Sequence, residues 1–477
     1  MKTKHIITAA CLSMTSLLTF TSCTEWFDIS PKTDLKAEEL FDSESGFQSA
    51  LTGIYLTMTS PSLYAGGMSF GLLDQLAQQY DFKPDGVQDI SSIYDYQNNN
   101  SGYQTKQRLA SMWSASYNVI ANSNNLIKWI DTKGNEIVKK EETRRMLRGE
   151  ALAIRAFCHF DLLRAWGPYN YRNYRNNTEA PQTLTIPYRT IADNSKMPRL
   201  AAEEVLNKIV ADLLQARELL SFENQLNLKI DTERRFRFNY HAVNALLARV
   251  YAYQGKKTEA IEAAKAVIDH CGLNLQSTNQ NDAAMFSECL VGLNMYKMSD
   301  ELSGQWGVGE KFTTQYVINQ NKFNQLFEVE GSRRDDFRSK TSAFHVFDTQ
   351  QLAISKKYNQ NANAIIPLIR LPEMYYILCE MSDELTTSRY YLNFIRNKRG
   401  YSSALNESYT DNEEKIIALD KEIRKEYYAE GQYWFFLKLH GITSIPYATD
   451  ITLDKAKFEF PLPDAEVQYG WTPENDE

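Results

Sequence analysis

The sequence predicts a mostly α fold: a tetratricopeptide-like helical-repeat scaffold with long loops and a less regular C-terminal part. Three observations predict it. Residues 238–269 read as two helices broken at Gly255. Ala242, Ala245, Ala248 and Ala252 give a face of small residues, and Ala260, Ile261, Ala264, Val267 and Ile268 resume the helical period. Helix, glycine turn, helix in about 34 residues is the tetratricopeptide spacing, and such a unit must bury its face on neighbours. Second, the run from Arg148 to Trp166 carries two apolar stripes. Leu147, Ala151, Ile154, Cys158 and Leu162 form one, and Leu152, Ala156 and Leu163 the other. A helix apolar on most sides is packed on most sides. Third, further helical periods precede and follow these two, so the units have neighbours to stack on.

In chain order, Lys2 and Lys4 open a basic segment, Ile6 to Phe20 is apolar or small, and Thr21-Ser22-Cys23 closes it. That order is a secretory leader. Small residues before Cys23 resemble a bacterial lipobox, although Phe20 stands where Leu or a small aliphatic is usual. The expectation is a signal peptide over 1–22, lipid on Cys23 and a tether over 23–35; a plain secretory leader with an incidental Cys is the alternative. Residues 36–477 are then expected to form one domain with loop insertions around 60–105 and 271–345.

Residues 36–59 read as a helix with Phe47, Leu51, Ile54 and Tyr55 on one face. Residues 60–105 change character. Gly66, Gly67, Gly71, Gly86 and Gly102 punctuate them, and Tyr64, Tyr80, Phe82, Tyr94, Tyr96 and Tyr103 are scattered through. Helices are predicted over 106–130, with Trp113, Tyr117, Ile120, Asn124 and Ile127 in register, and over 138–166, where Gly167-Pro168 ends the run. A polar loop over 169–197 leads to an amphipathic helix over 199–221. Residues 271–345 are read as irregular and contain Trp306 and Arg333-Arg334-Asp335-Asp336. Ile365 to Arg370 read as extended, entering a helix at 371–381.

Composition narrows function. The 477 residues are 43% hydrophobic and 23% charged, with formal charge −8, which becomes −10 once Lys2 and Lys4 leave with the leader. An acidic chain of this kind argues against nucleic acid as a partner. There is no CxxC and no zinc spacing. Cys158 and Cys379 lie in apolar patterns as buried thiols, while Cys271 and Cys289 are either free or paired in an oxidising envelope. No HExxH, P-loop, GxSxG or GxGxxG motif occurs, so neither a catalytic residue nor a cofactor nor a metal is expected. His159 and His241 read as packing residues. Glu150 and Asp161 imitate a glycosidase pair, but their place in a buried helix favours a structural ion network, as for Arg155, Arg370, Glu373 and Arg396.

The motifs also carry a resemblance. Gly149-Glu150-Ala151, Arg155-Ala156-Phe157, Phe160-Asp161-Leu162 and Trp166-Gly167-Pro168 come first. Arg370-Leu371-Pro372-Glu373 follows, then Leu392-Asn393, Ile395-Arg396 and Arg399-Gly400. Glu422, Glu426, Ala429-Glu430-Gly431, Trp434, Leu437-Lys438 and Phe460-Pro461-Leu462-Pro463 complete the order. This order resembles the SusD/RagB family. Tyr433 and Phe436 depart from it, since an Arg and an Asp usually flank that Trp. The resemblance implies a surface-exposed outer-membrane lipoprotein that binds a nutrient and delivers it to a TonB-dependent SusC-like transporter. An oligosaccharide is the expected ligand: sugar rings stack C–H faces on aromatics while polar groups bind the hydroxyls. Tyr80, Asp81, Tyr94, Tyr96 and Trp306, on the two irregular segments, are the ligand-binding candidates; packing of these rings onto the scaffold is the competing reading. A helical-repeat protein binding a peptide or protein partner, and a glycan-acting enzyme, are the alternative functions.

Overall fold

The computed structural model describes residues 38–81, 90–98, 104–176, 183–278, 282–307, 316–329, 335–359, 363–446 and 451–470. The leader, Cys23 and the tether lie outside these residues, as do Phe82, Gly86, Gly102, Tyr103, Arg333 and Arg334.

Its helices are α1 (Glu44–Met58), α2 (Leu72–Leu76), α3 (Thr105–Ile137), α4 (Glu141–Trp166), α5 (Ala202–Leu219), α6 (Tyr240–Gln254), α7 (Lys257–His270), α8 (Pro372–Met381), α9 (Leu385–Lys398), α10 (Asn412–Glu426) and α11 (Gln432–His440), besides shorter turns. Local chemistry sets their ends. Ser43 Oγ accepts from Gly46 N at 3.1 Å to cap α1, and Asn239 Oδ1 accepts from Ala242 N at 3.0 Å to cap α6. Gly255 stops α6 at φ +67°, a left-handed conformation that a side chain would strain. Pro372 occupies the first turn of α8, where no N–H is needed.

From α3 to α9 each of these long helices packs on the next, as a stacked helical array requires. Ala242, Ala245 and Ala248 are fully buried between neighbouring helices. In α4 every residue from Gly149 to Trp166 is buried. Its charges are met one by one. Glu150 accepts from Tyr55 Oη at 2.8 Å and pairs with Arg234 at 2.8 Å. Arg155 forks onto Asp212 at 2.7 Å and donates to Asn124 at 2.9 Å. Asp161 accepts from Tyr64 Oη at 2.9 Å and pairs with Arg164. His159 stacks on Tyr188 at 3.9 Å, and burial pushes its imidazole down to about 3, so it is neutral.

The strands are β1 (Leu184–Pro187), β2 (Arg199–Ala201), β3 (Cys289–Asn294), β4 (Ile318–Asn319), β5 (Phe344–Phe347), β6 (Leu352–Ser355) and β7 (Ile365–Arg370). They form antiparallel sheets β1-β2, β3-β7 and β4-β6-β5. This corrects the irregular reading of 271–345. Cys289-Leu-Val-Gly-Leu is a short apolar run, and its partner β7 lies far away in sequence, so neither period nor proximity identifies it as a strand. All four described cysteines are buried and free, so Cys271 and Cys289 do not pair.

The later motif residues converge on a buried ion network. Arg370 reaches Glu426 at 2.6 Å; Arg399 reaches Glu288 at 2.7 Å and Glu426 at 3.0 Å. Arg338 reaches Glu422 at 2.7 Å, Lys357 reaches Glu430 at 2.5 Å, and Arg396 also pairs with Glu422. The Lys425 ammonium with the Arg338 and Arg396 guanidinium groups holds Glu422, and Arg399, Arg370 and Arg338 hold Glu426, well below the usual carboxylate range despite burial. Tyr433, in the departing position, is fully buried beneath the Arg424 guanidinium, 5.7 Å from its ring. One apolar core extends from Phe41 to Phe460. No described helix is long and apolar enough to cross a membrane.

Candidate functional site

The glycine-punctuated segment folds back on α3. A Cβ on Gly67 would lie 2.7 Å from Ser62 O and 2.8 Å from Met112 Cγ, so only glycine lets this backbone lie against the helix. The loop therefore presents Ser62 and the Gly66–Gly67 and Gly71 backbone beside the first turns of α3, which carry Gln104, Gln107, Arg108 and Ser111. From the second segment come Gln305 and Tyr316, joined by a Tyr316 N to Gln305 O bond of 3.2 Å. Together these residues line a cavity of about 350 Å³. A second hollow of about 780 Å³ adjoins it across Gln107 and is lined by Tyr96, Gln97, Lys106 and the Pro461–Ala465 stretch. Lys106 pairs there with Asp464 at 2.8 Å.

Gln305 Oε1 is buried with no hydrogen-bond donor among the described residues. Arg108 is half-buried, and burial holds its guanidinium below its ordinary value; its one electrostatic neighbour among the described residues is the Tyr316 phenol. Amides, hydroxyls, a phenol and a guanidinium can satisfy a polyhydroxylated ring from several sides, within a volume suited to a small ligand.

The sequence-predicted candidates fall in three places. Tyr80 and Trp306 come together, 2% and 0% exposed, with ring centroids 5.7 Å apart. Tyr80 stacks on Tyr316 at 4.7 Å, and Trp306 also packs against Phe70 and Tyr358. Asp81 accepts from Lys322 Nζ at 3.1 Å and from Asn319 N at 2.6 Å, and its own N–H reaches Val317 O at 2.7 Å. Tyr94 donates to Leu76 O at 2.7 Å. For Tyr80 and Trp306 the packing reading holds and the ligand-binding reading is corrected: they are the joint between the two segments, because a large ring gains more from burial than from water. Tyr96 is separate from them. It donates to Lys457 O at 2.6 Å and packs edge-on against Phe460, yet lines the second hollow.

Sequence reasoning missed Gln104, Gln107, Arg108, Gln305 and Tyr316. The available signal was Gln104-Thr-Lys-Gln-Arg108, a wholly polar first turn directly after an irregular segment.

Another cavity, of about 100 Å³, lies between α4, α6, α8 and α11. Its charges are paired, Arg249 with Glu373 at 2.6 Å and Arg172 with Glu380 at 2.8 Å, so it suits a few waters rather than a ligand. Glu150 and Asp161, eleven residues apart on one helix, stand roughly 16 Å apart along its axis. Glycosidase carboxylates lie within about 10 Å of each other, so this pair does not fit that chemistry. Among the described residues no group of three His, Cys, Asp or Glu side chains is placed to hold a metal ion.

Residues 25–252 match the SusD-like family model described as starch-binding and associating with the outer membrane. Two curated relatives come from Formosa agariphila. SusD-like protein P2 is 25% identical over 254 residues, covering 53% of this chain and 45% of its own length. SusD-like protein P25 is 25% identical over 155 residues, 31% of this chain and 28% of its own. These matches thus span less than half of either relative. Among solved structures, a SusD superfamily protein from Bacteroides thetaiotaomicron aligns over 90% of this chain and 98% of its own, with TM-score 0.70 and 20% identity. A putative sugar binding protein from Bacteroides vulgatus aligns over 88% of this chain and 91% of its own, with TM-score 0.66 and 24% identity. These two likenesses establish the fold.

Proposed function

We propose that this chain, which belongs to the SusD-like family, captures an oligosaccharide in the cleft between its two loop segments and hands it to a SusC-like TonB-dependent transporter. Lipid on Cys23 holds it at the outer membrane, facing the exterior. The observation that carries the reading is the cavity around Gln107. It is the polar hollow where both loop segments meet a helix start, and its amides, hydroxyls and guanidinium suit a polyhydroxylated ligand. The ion pairs of α4 stabilise the scaffold and take no part in binding.

Titration calorimetry of the purified chain against a panel of oligosaccharides tests this. Gln107→Ala and Gln305→Ala should each weaken the binding found by about 1 kcal/mol while leaving the melting temperature unchanged. Absence of binding across the panel, or hydrolysis of the bound sugar, would overturn the reading.

A further inference from the structure

We infer that the sugar taken by this cleft is anionic, carrying a carboxylate or a sulfate ester that Arg108 receives. The inference rests on the binding role proposed above and narrows it to a substrate class.

The charge pattern carries it. The chain is acidic, at −8 overall, yet the described residues lining the Arg108 cavity include one guanidinium and no carboxylate. Other buried guanidinium groups of this protein are answered within the fold: Arg155 by Asp212, Arg249 by Glu373 and Arg370 by Glu426, while Arg235 donates to Phe286 O and Arg424 to Gln79 and Pro446 O. Arg108 is half-buried on the first turn of α3 and has no carboxylate partner among the described residues. A cation drawn partly out of water without a counter-charge is costly, and an anionic ligand offsets that cost. The planar guanidinium fork matches the two oxygens of a carboxylate or sulfate. Gln305 and Gln107 line the same cavity with side-chain amides able to orient a hydroxyl of the same ring. The site thus separates two tasks: charge is read by Arg108, and ring orientation by Gln305 and Gln107.

Matched pairs of probes test the inference on the purified full chain. One pair is a galacturonic acid hexamer and its fully methyl-esterified form. The other is a sulfated galactan oligomer and its desulfated form. Within at least one pair the anionic member should bind roughly tenfold or more tighter. Preference within the first pair alone identifies a carboxylate, and within the second alone a sulfate ester. Arg108→Gln should abolish that preference, and Arg108→Lys should retain part of it. Because Arg108 has no acid partner among the described residues, Arg108→Gln should not lower the melting temperature, which separates a recognition role from a structural one. Equal or tighter binding of the neutral members, still sensitive to Gln107→Ala and Gln305→Ala, would overturn the anionic assignment while leaving sugar capture standing. Failure of all four probes, together with a neutral oligosaccharide panel, would overturn both. An acidic peptide competing for Arg108 where no sugar binds would do the same.

Discussion

Trp306 is fully enclosed by Phe70, Tyr80, Tyr316 and Tyr358, with the indole nitrogen lacking an acceptor among the described residues. Truncation there removes a large buried ring. Trp306→Ala should cost roughly 3–5 kcal/mol in urea melts, and a neutral result would mean that the two segments are not joined through this ring. Asp74, at the edge of the same cluster, accepts from Tyr80 Oη at 3.3 Å, and burial pushes its carboxyl up to about 8. The sign follows from proton counting. Between the unfolded value near 4 and about 8, the folded state holds a proton that the unfolded state has released. Stability attributable to this group is therefore greatest below pH 4 and declines as pH rises to about 8, by up to about 1.4 kcal/mol per pH unit. Asp74→Asn mimics the protonated acid. The variant should gain stability over the parent at pH 8 and much less at pH 5; an equal difference at both would show that Asp74 is ionised throughout.

Among the elements, α6 offers the most direct test of stacking. Ala248 is fully buried, and Ala248→Leu should destabilise by roughly 1–3 kcal/mol through overpacking. An unchanged denaturation midpoint would place that face in solvent. The helices were legible because their signals are local: the apolar period, and Gly255 as a stop. The charged seams of α4 were legible as ion pairs because apolar stripes on both sides leave a charge nowhere else to go. What stayed illegible depended on distant partners. β3 finds β7 across more than 70 residues, and Trp306 finds Tyr80 across the whole array. The site itself failed for the same reason. An aromatic in an irregular segment has the same composition whether its face meets solvent or a second segment, so Tyr80 and Trp306 could not be told from binding residues. Arg108 carries no local signal that separates it from an ordinary helix-surface charge.

Across the whole molecule, the buried ion network ties Glu288 before β3, Arg338, Arg370 of β7, Arg399 of α9 and Glu426 of α10 into one unit. Glu426→Gln leaves three guanidinium groups short of a counter-charge and should cost roughly 3–5 kcal/mol. The checking measurement is a thermal melt read by near-ultraviolet circular dichroism. A change below 1 kcal/mol would mean that the network is replaceable by neutral hydrogen bonds. At the cellular level Cys23→Ala should move the protein from the membrane fraction to the soluble one in cells lacking the transporter, and continued retention would rule out the lipid anchor.

The aromatic joint between Tyr80, Trp306 and Tyr316 also bears on how the proposed cleft would meet its ligand in time. These ring contacts hold the described parts of the two segments to one another, so the proposed receiving surface would exist before a ligand arrives. Little chain freedom then remains to be surrendered on capture. Association should follow single-step kinetics with a rate linear in ligand concentration, and amide exchange of the Pro61–Gly71 backbone should be slow already in the empty protein.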